Sequence, residues 1–264
     1  MWRHSLKLMM INLTMSTTYN PFSLAGKRIL VTGASSGIGQ ETAIQCSKLG
    51  ASLIIAGRNV ERLEETFSKL EGEGHSMSVF DQTDELQVND AISVMDNVDG
   101  IVLCAGRGMT KPLVFCKTET FEEVFNTNFF STVNILRLLV KQKKVCKKAS
   151  VVFVSSIGGV FSFNPGNGVY GASKAALSSA MKFFARELAP KTIRVNSVNP
   201  GMVKTPFIGK GAITEEQMQQ DCEKYPLRRY GEPTDIALGI IYLLSDASSW
   251  VTGQSLVIDG GVTI

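Results

Sequence analysis

Two side chains four residues apart in the second half of the chain suggest acid–base chemistry. Tyr170 and Lys174 belong to the segment Tyr-Gly-Ala-Ser-Lys, which begins an apolar stretch with helical periodicity. This spacing places both side chains on one face of a helix, one turn apart. A phenol with a pKa near 10 is a poor acid–base group at neutral pH, and a nearby ammonium lowers that pKa. Two surface residues that pack together have the same spacing, so the pair alone is weak evidence.

A serine hydroxyl precedes this pair. Ser156 follows the short apolar run Val151–Val154, which predicts a strand, and comes just before the tyrosine helix. Ligands of open α/β sheets bind at the carboxyl ends of the strands, so Ser156 is placed to hydrogen-bond a substrate oxygen. Serine is also a common turn residue, and that role is the alternative.

A glycine-rich turn near the start of the chain predicts a nucleotide site. The segment Thr32–Gly39 separates an apolar run from a helical pattern. Its glycines permit a sharp turn and a close approach of backbone to a ligand, and the N-terminus of the following helix attracts a pyrophosphate. The spacing G-x-x-x-G-x-G differs from the common G-x-G-x-x-G, and a plain strand-to-helix connection is the alternative. The residues predicted to contact the cofactor here are Gly33, Ser35, Ser36, Gly37, Ile38 and Gly39.

The ends of the next two apolar runs bear on which nucleotide binds. The second run ends at Arg58, with no carboxylate for the ribose hydroxyls of NAD. An arginine fork suits a 2′-phosphate, so NADP(H) is the predicted cofactor, with NAD(H) as the alternative. Arg58 opening the helix Val60–Leu70 as a solvated residue is a further possibility. Asp81 ends the third run and is placed either to accept a bond from the adenine amino group or to cap a helix.

The elements that must position these residues alternate along the chain. Strand-like runs and helical segments of ten or more residues follow one another, which predicts βαβ units. We therefore predict an α/β fold: a single doubly wound Rossmann-type domain with an about seven-stranded parallel sheet and helices on both faces. The domain is predicted over residues 23–264, with a lid around 205–225 and an N-terminal extension, disordered or partly ordered, over 1–22. The predicted strands are Arg28–Val31, Ser52–Ala56, Met77–Phe80, Gly100–Leu103, Val151–Val154, Ile193–Val198 and Ser255–Ile258. The predicted helices are Ile38–Leu49, Val60–Leu70, Glu85–Asn97, Glu119–Val145, Val169–Leu188 and Pro233–Leu244.

Composition excludes several other classes of protein. The 264 residues are 44% hydrophobic and carry a net charge of +3, which gives no basic surface for nucleic acid. No apolar run approaches the ~20 residues that span a bilayer. Five cysteines without a Cys-x-x-Cys pair and two histidines argue against a metal site or a disulfide framework, and favour a reducing, cytoplasmic location. No acidic residue precedes Glu41, so a transit peptide, a disordered tail or initiation at Met15 all fit residues 1–20.

Taken together, these segments resemble the short-chain dehydrogenase/reductase family from about Ser23 to Gly261. The resemblance implies catalytic roles for Asn128, Ser156, Tyr170 and Lys174. One departure is Cys104, because the family often has Asn-Asn-Ala-Gly where this chain has Leu-Cys-Ala-Gly. The further cofactor contacts that the resemblance implies are Ala105, Gly106, Tyr170, Lys174, Pro200, Gly201, Val203 and Thr205.

The resemblance also implies a reaction, in which a hydride moves between nicotinamide and a carbonyl or secondary alcohol. Tyr170 would transfer the proton, Lys174 would lower its pKa and bond the nicotinamide ribose, Ser156 would bind the carbonyl oxygen, and Asn128 would hold a water linked to Lys174. Within the family the chain is most similar to 3-oxoacyl-carrier-protein reductases. An NAD(H)-dependent sugar, steroid or other alcohol dehydrogenase, and a non-catalytic dinucleotide sensor, are the alternatives.

Three further expectations concern partners and substrate. The resemblance implies a homo-oligomer, often a tetramer, paired through the helices Glu119–Val145 and Val169–Leu188. Phe161 and Phe163, in the loop before the tyrosine helix, suggest an apolar substrate, although core packing explains them equally well. Five lysines could attract an acidic carrier protein, but a solvated helix end explains them better. These are Lys141, Lys143, Lys144, Lys147 and Lys148.

Overall fold

A computed structural model of the chain describes residues 19–206 and 214–264. These residues form seven strands, the number that the sequence predicts, and eight α-helices, two more than the sequence predicts. The strands are β1 Arg28–Thr32, β2 Ser52–Gly57, β3 Ser76–Val79, β4 Val98–Leu103, β5 Val145–Val154, β6 Arg194–Pro200 and β7 Ser255–Ile258. The helices are α1 Gly37–Lys48, α2 Val60–Phe67, α3 Glu85–Val94, α4 Thr118–Phe125, α5 Ser131–Lys141, α6 Gly168–Leu188, α7 Glu215–Cys222 and α8 Pro233–Leu244.

The seven strands form one parallel sheet in the order β3-β2-β1-β4-β5-β6-β7. The strand order reverses between β1 and β4, which lie side by side with Val31 opposite Val102. In sheets of this kind, loops that leave the two central strands in opposite directions open a crevice at their carboxyl ends. The predicted doubly wound Rossmann-type fold is confirmed, and the crevice lies where the glycine turn follows β1.

The sheet is buried on both faces, which explains why its central strands are continuous apolar runs. On one face, α3, α5 and α6 contribute to a core that includes Ile92, Leu139 and Met181. On the other face, α1, α2 and α8 contribute to a second core that includes Leu63 and Ile240. These six helices therefore present apolar side chains to the sheet.

The helix predicted over Glu119–Val145 is the largest error in the secondary-structure prediction. The helical chain runs through α4, a π-helical turn at Asn126–Phe130 and α5, and it ends at Lys141. Lys143 has a φ of 59°, a left-handed conformation that reverses the chain. Val145 is therefore the first residue of β5, which begins six residues earlier than predicted.

The five lysines do not share the helix end predicted for them. Only Lys141 lies in the last turn of α5, whereas Lys147 and Lys148 belong to β5. Lys144 Nζ donates to the carbonyl oxygens of Ser93 and Met95, which terminates α3. Lys141, Lys143 and Lys144 precede β5 and Lys147 and Lys148 lie in its first half, about 20 Å or more from its carboxyl end at the usual rise per residue. They are therefore at the edge of the sheet opposite the crevice.

The predicted N-terminal extension and the predicted lid are only partly described, because residues 1–18 and 207–213 lie outside the described residues. Pro21 O accepts a hydrogen bond from Ala247 N, and Phe22 packs on Tyr242, so ordered packing starts slightly before residue 23. Within the predicted lid, α7 is helical and its N-cap Thr214 forms a capping box with Gln217.

Candidate active site

The glycine turn after β1 contacts the loop after β4 through backbone atoms. Gly33 has a φ of 67°, and a Cβ added to it would lie 2.8 Å from Ala105 Cα. A Cβ on Gly39 would lie 2.4 Å from Gly33 O, so the first turn of α1 also packs directly on the turn. Thr32 Oγ1 accepts hydrogen bonds from Cys104 N and Ala105 N, which joins the ends of the two strands. These contacts bring predicted cofactor residues from both loops together at the crevice.

Gly33→Ala is expected to lower the free energy of unfolding by at least about 3 kcal/mol, because it combines a left-handed backbone with a backbone clash. Gly26→Ala is the matched control, since Gly26 has a φ of 76° but no heavy atom within 4 Å of an added Cβ. That control is expected to cost about 1 kcal/mol. Urea unfolding measures both values, and equal losses in the two variants would contradict the steric argument.

The N-terminus of α1 has the features of a pyrophosphate site. Ser36 is the N-cap, with an extended backbone and no side-chain capping bond. Helix N-termini present N–H groups and a positive dipole end to anions. A Cβ on Gly37 would lie 3.1 Å from Thr205 Cγ2, so the segment after β6 closes over the same turn. The residues present therefore fit a dinucleotide, while the cofactor contacts predicted for Ser35, Ser36, Gly37, Ile38 and Thr205 stay predictions.

Arg58 stands at the carboxyl end of β2, next along the sheet from the glycine turn. Its side chain is 81% exposed and lies 3.7 Å from Asp81 Oδ2. Asn59, not Arg58, opens α2, because its side chain accepts the Arg62 N–H. The guanidinium is thus a surface cation beside the crevice, held by one exposed ion pair of small energetic value.

Asp81 does not cap a helix, so that alternative is wrong. Its Oδ1 accepts bonds from Thr83 N and Thr83 Oγ1, an Asx-turn that lowers the pKa of the Asp81 carboxyl. Asp84 is the N-cap of α3 and accepts from Leu86 N and Gln87 N. The adenine contact predicted for Asp81 stays a prediction.

Ser156 and Tyr170 meet at the carboxyl end of β5. The two hydroxyl groups are hydrogen-bonded, and Ser156 Oγ also accepts the Gly158 N–H at 3.0 Å. Burial raises the pKa of the Tyr170 phenol, and the bond with Ser156 opposes this shift. The sequence argument expected a lowered pKa from Lys174, so the direction in the described chain is opposite. A raised pKa keeps the phenol protonated and able to donate at neutral pH.

Lys174 is buried one turn along α6, as predicted from the spacing. Its Nζ donates to Val154 O at 2.8 Å, and burial lowers the pKa of the amine to about 8. The amine therefore loses part of its charge just above neutrality. Burial also raises the pKa of the nearby Cys104 thiol to about 12, so this residue is a neutral group beside the amine.

Asn128 is fully buried within the π-helical turn between α4 and α5. Its Oδ1 accepts the Arg107 N–H at 2.8 Å, and its Nδ2 donates to Arg107 O at 3.0 Å. The same Nδ2 donates to Ser173 Oγ at 3.0 Å. A Cβ added to Gly106 would lie within 3.3 Å of both Asn128 Oδ1 and Lys174 Nζ. Asn128 thus holds the loop after β4 against α6 beside the amine, and its predicted bound water stays a prediction.

The remaining predicted cofactor residues lie on the segment after β6. Pro200 O accepts the Ile157 N–H, which ties this segment to the loop that carries Ser156. Gly201 N donates to Ile258 O, and a Cβ there would lie 3.0 Å from Asp259 Cα. Val203 is buried. These contacts bring the segment to the crevice, beside the other site residues.

The loop over residues 161–168 packs against the loop after β4. Lys111 N donates to Gly166 O, and Thr110 Oγ1 donates to Asn167 Oδ1. Phe161 and Phe163 are exposed, so core packing does not explain them. A cavity of about 390 Å³ lies between the two loops, with Leu113, Phe121 and Pro165 among its lining residues.

Sequence reasoning missed two buried serines on α6. Ser173 Oγ accepts from Asn128 and donates to Tyr170 O, and Ser178 Oγ lies 2.7 Å from Ser155 Oγ. The signal was present, because Ser178 follows Lys174 by one helical turn and therefore shares its inward face. No group of three or more His, Cys, Asp or Glu suited to a metal ion occurs in residues 19–206 and 214–264.

Comparison with known proteins identifies the family. A family model described as enoyl-(acyl carrier protein) reductase matches residues 33–263. The 3-oxoacyl-[acyl-carrier-protein] reductase of Thermotoga maritima is 35% identical over 91% of this chain and 99% of its own. A short-chain type dehydrogenase/reductase from Mycobacterium marinum is 30% identical, with a TM-score of 0.81 over 92% of this chain and 98% of its own. The chain belongs to the short-chain dehydrogenase/reductase family. It is an oxidoreductase that acts on CH–OH groups and uses a nicotinamide dinucleotide.

A third relative bears on the chemistry. The structure of a gluconate 5-dehydrogenase from Burkholderia cenocepacia, in complex with NADP and tartrate, is 26% identical to this chain. Its TM-score is 0.83 over 92% of this chain and 97% of its own. The Thermotoga and Burkholderia relatives thus differ in the substrate that their names carry. In the described part of the chain, no helix is both long and apolar enough to cross a bilayer.

Proposed function

We propose that the chain is an NADP(H)-dependent reductase of 3-oxoacyl thioesters. The observation that carries this proposal is the hydroxyl pair of Ser156 and Tyr170 at the mouth of the dinucleotide crevice, one helical turn from a buried amine. A bound nicotinamide would supply the hydride. The chain's own residues then have to orient the carbonyl oxygen and deliver a proton to it.

Tyr170 serves as the proton donor to the oxygen that becomes an alkoxide. Its raised pKa keeps the phenol protonated at neutral pH, and the proton can still pass to the alkoxide, which is a stronger base than the phenolate. Ser156 hydrogen-bonds the same oxygen and stabilises the charge that develops on it, as preorganised donors do. Gly158 N–H fixes the Ser156 hydroxyl, which limits its rotation before substrate arrives.

Lys174 and Asn128 support this pair. An ammonium has three N–H donors, of which Val154 O takes one, so Lys174 has donors to offer to the ribose hydroxyls. Asn128 keeps the loop after β4 in place on the other side of the amine. We propose these as the roles of the two residues in the reaction.

Arg58 supports NADP(H) as the preferred form of the cofactor. Arg58→Ala is expected to lower kcat/KM for NADPH about 10- to 100-fold and to leave NADH little changed, because a charge-assisted bond to the 2′-phosphate is lost. Arg62→Ala, an exposed arginine on α2, is the control and should change neither value. A preference for NADH in the wild-type protein would contradict the assignment of Arg58.

The 3-oxoacyl-[acyl-carrier-protein] reductase of Thermotoga maritima supports the thioester class, since it matches nearly the whole chain. Gluconate oxidation is the second candidate, favoured by the similarity to the Burkholderia gluconate 5-dehydrogenase. Initial rates separate the possibilities. The 3-oxoacyl thioester and the enoyl thioester are each tested with NADPH and NADH, and gluconate is tested with NADP+ and NAD+. A higher kcat/KM for gluconate or for the enoyl thioester would overturn the proposal.

A dinucleotide sensor is the alternative of another class. It would bind NADPH with no turnover of any carbonyl compound in that assay. The ordered hydrogen bonds of Ser156, Tyr170, Lys174 and Asn128 support the enzyme instead, because a sensor has no use for a proton donor held beside a carbonyl site.

We further propose a homotetramer, assembled through the helices on the α4 to α6 face. The exposed aromatic residues Phe130 on the π-helical turn and Phe183 on α6 support this interface, and a molar mass from light scattering tests it. The five cysteines are all free thiols, which supports the reducing, cytoplasmic compartment that we propose for the chain.

A further inference from the structure

A small polar cluster lies buried under the catalytic residues. It consists of Ser155 after β5, Ser178 on α6 and Asn199 in β6, and each is at most 5% exposed. Polar side chains in such a position are costly unless they are hydrogen-bonded to one another or to backbone. The bonds within this cluster therefore specify which groups it connects.

One arrangement of the hydrogen atoms satisfies all the bonds of the cluster together. Ser155 Oγ donates to Lys174 O at 2.9 Å, which uses its single proton. Ser178 Oγ, 2.7 Å away, must therefore donate to Ser155 Oγ. Asn199 Nδ2 donates to Ser178 Oγ at 3.4 Å and to Ser156 O at 2.8 Å. The Asn199 amide thus bonds the backbone of Ser156 directly. It is also linked to the backbone of Lys174 through the hydroxyl groups of Ser178 and Ser155.

Lys174 is consequently attached to the end of β5 at two points. Its side-chain amine donates to Val154 O, and its backbone carbonyl accepts from Ser155 Oγ. The side chain alone could swing on its flexible stem, whereas the second bond fixes the helix backbone. The distance between Ser156 on the strand end and Tyr170 on α6 depends on how α6 sits against β5.

We propose that Ser178 and Asn199 are positioning residues for the reaction: with Ser155 they form a buried hydrogen-bond chain that sets α6 against the end of β5. This inference rests on the proposed roles of Ser156, Tyr170 and Lys174. Neither Ser178 nor Asn199 contacts the reacting atoms, so both act through the residues that do. A misplacement of catalytic groups by a fraction of an ångström is enough to slow a reaction measurably.

Ser178→Ala tests the chain at its middle link. We expect kcat per nucleotide-binding site to fall about tenfold, with the number of sites counted by NADPH titration. A residue needed only for folding would lower the number of sites and leave kcat per site unchanged. Ser178→Thr keeps the hydroxyl and should recover most of the rate. Ser179→Ala removes an exposed hydroxyl from the adjacent position of α6 and should match the wild type.

A double-mutant cycle with Ser155→Ala shows whether the two hydroxyls act as one unit. If they do, the double variant loses little more than the larger single loss. Wild-type kcat per site in Ser178→Ala, or full additivity in the cycle, would overturn the proposal. The comparison uses whichever substrate the wild type turns over. A preference for gluconate or NADH would therefore contradict the proposed function without contradicting this inference.

A second readout does not depend on turnover. The Lys174 amine is titrated by NMR in protein labelled with ¹⁵N-lysine. If Ser178→Ala loosens α6, water reaches the amine and its titration midpoint should move upward by at least about half a unit, while Ser179→Ala leaves it in place. An unmoved midpoint in Ser178→Ala would overturn the positioning role even if no substrate were turned over.

Discussion

Replacing Tyr170 by phenylalanine is expected to lower kcat about a thousandfold, within the range that one general acid contributes. The change removes the hydroxyl and little volume, so the fold and the crevice should persist. The loss follows from chemistry, because the phenol is the proposed proton donor and the Ser156 hydroxyl bonded to it is too weak an acid to replace it. Steady-state rates at saturating cofactor and substrate measure the effect.

Two controls separate this loss from a structural effect. NADPH should bind the variant with the wild-type stoichiometry, since the glycine turn and the N-terminus of α1 are unchanged. Tyr19→Phe, at a tyrosine that is 90% exposed, should leave the rate unchanged. A Tyr170→Phe rate within a few-fold of wild type would show that another group supplies the proton.

Lys174→Met is expected to change the pH dependence of stability. Burial lowers the pKa of the amine from 10.5 to about 8 in the folded chain. Between these values the unfolded chain binds more protons, so the Lys174 contribution to stability rises with pH. The stability of Lys174→Met relative to wild type should therefore fall by roughly 2 to 3 kcal/mol between pH 7 and pH 10. Urea unfolding without nucleotide at both pH values measures the change.

The control is another lysine of the same helix. Lys182 is exposed, so Lys182→Met should show a nearly constant stability difference from wild type across the same pH range. Taking differences from wild type removes the titration of the tyrosines and cysteines, which all variants share. A pH-independent difference for Lys174→Met would mean that the amine is solvated in the folded chain.

Much of the fold was predictable because its signals are local. Apolar runs predicted all seven strands, including the exposed edge strand β3, and Pro233–Leu244 and Ser255–Ile258 were predicted to the residue. The predicted helix was extended too far, to Val145, for a physical reason. Lys143 has a left-handed backbone conformation, which its residue type does not predict. The lysines around this turn continued a helical pattern that the backbone does not follow.

The site was predictable where spacing fixes geometry. Tyr170 and Lys174 share a helix face because they are four residues apart, and Ser156 follows a strand that ends at the same edge. The pKa directions were not predictable, since they depend on burial by distant elements. The cluster around Ser178 was missed for the same reason: its partners Ser155 and Asn199 lie on β5 and β6, and only the parallel pairing of those strands brings them together.

The polarity of the parallel sheet has a practical consequence for handling the protein. The described chain enters β1 at the edge far from the crevice and leaves β7 at the same edge as Tyr170. The last residues pack on the segment that follows α7, where Leu227 N donates to Gly260 O. An affinity tag fused after Ile264 would therefore project from the same edge of the sheet as the crevice.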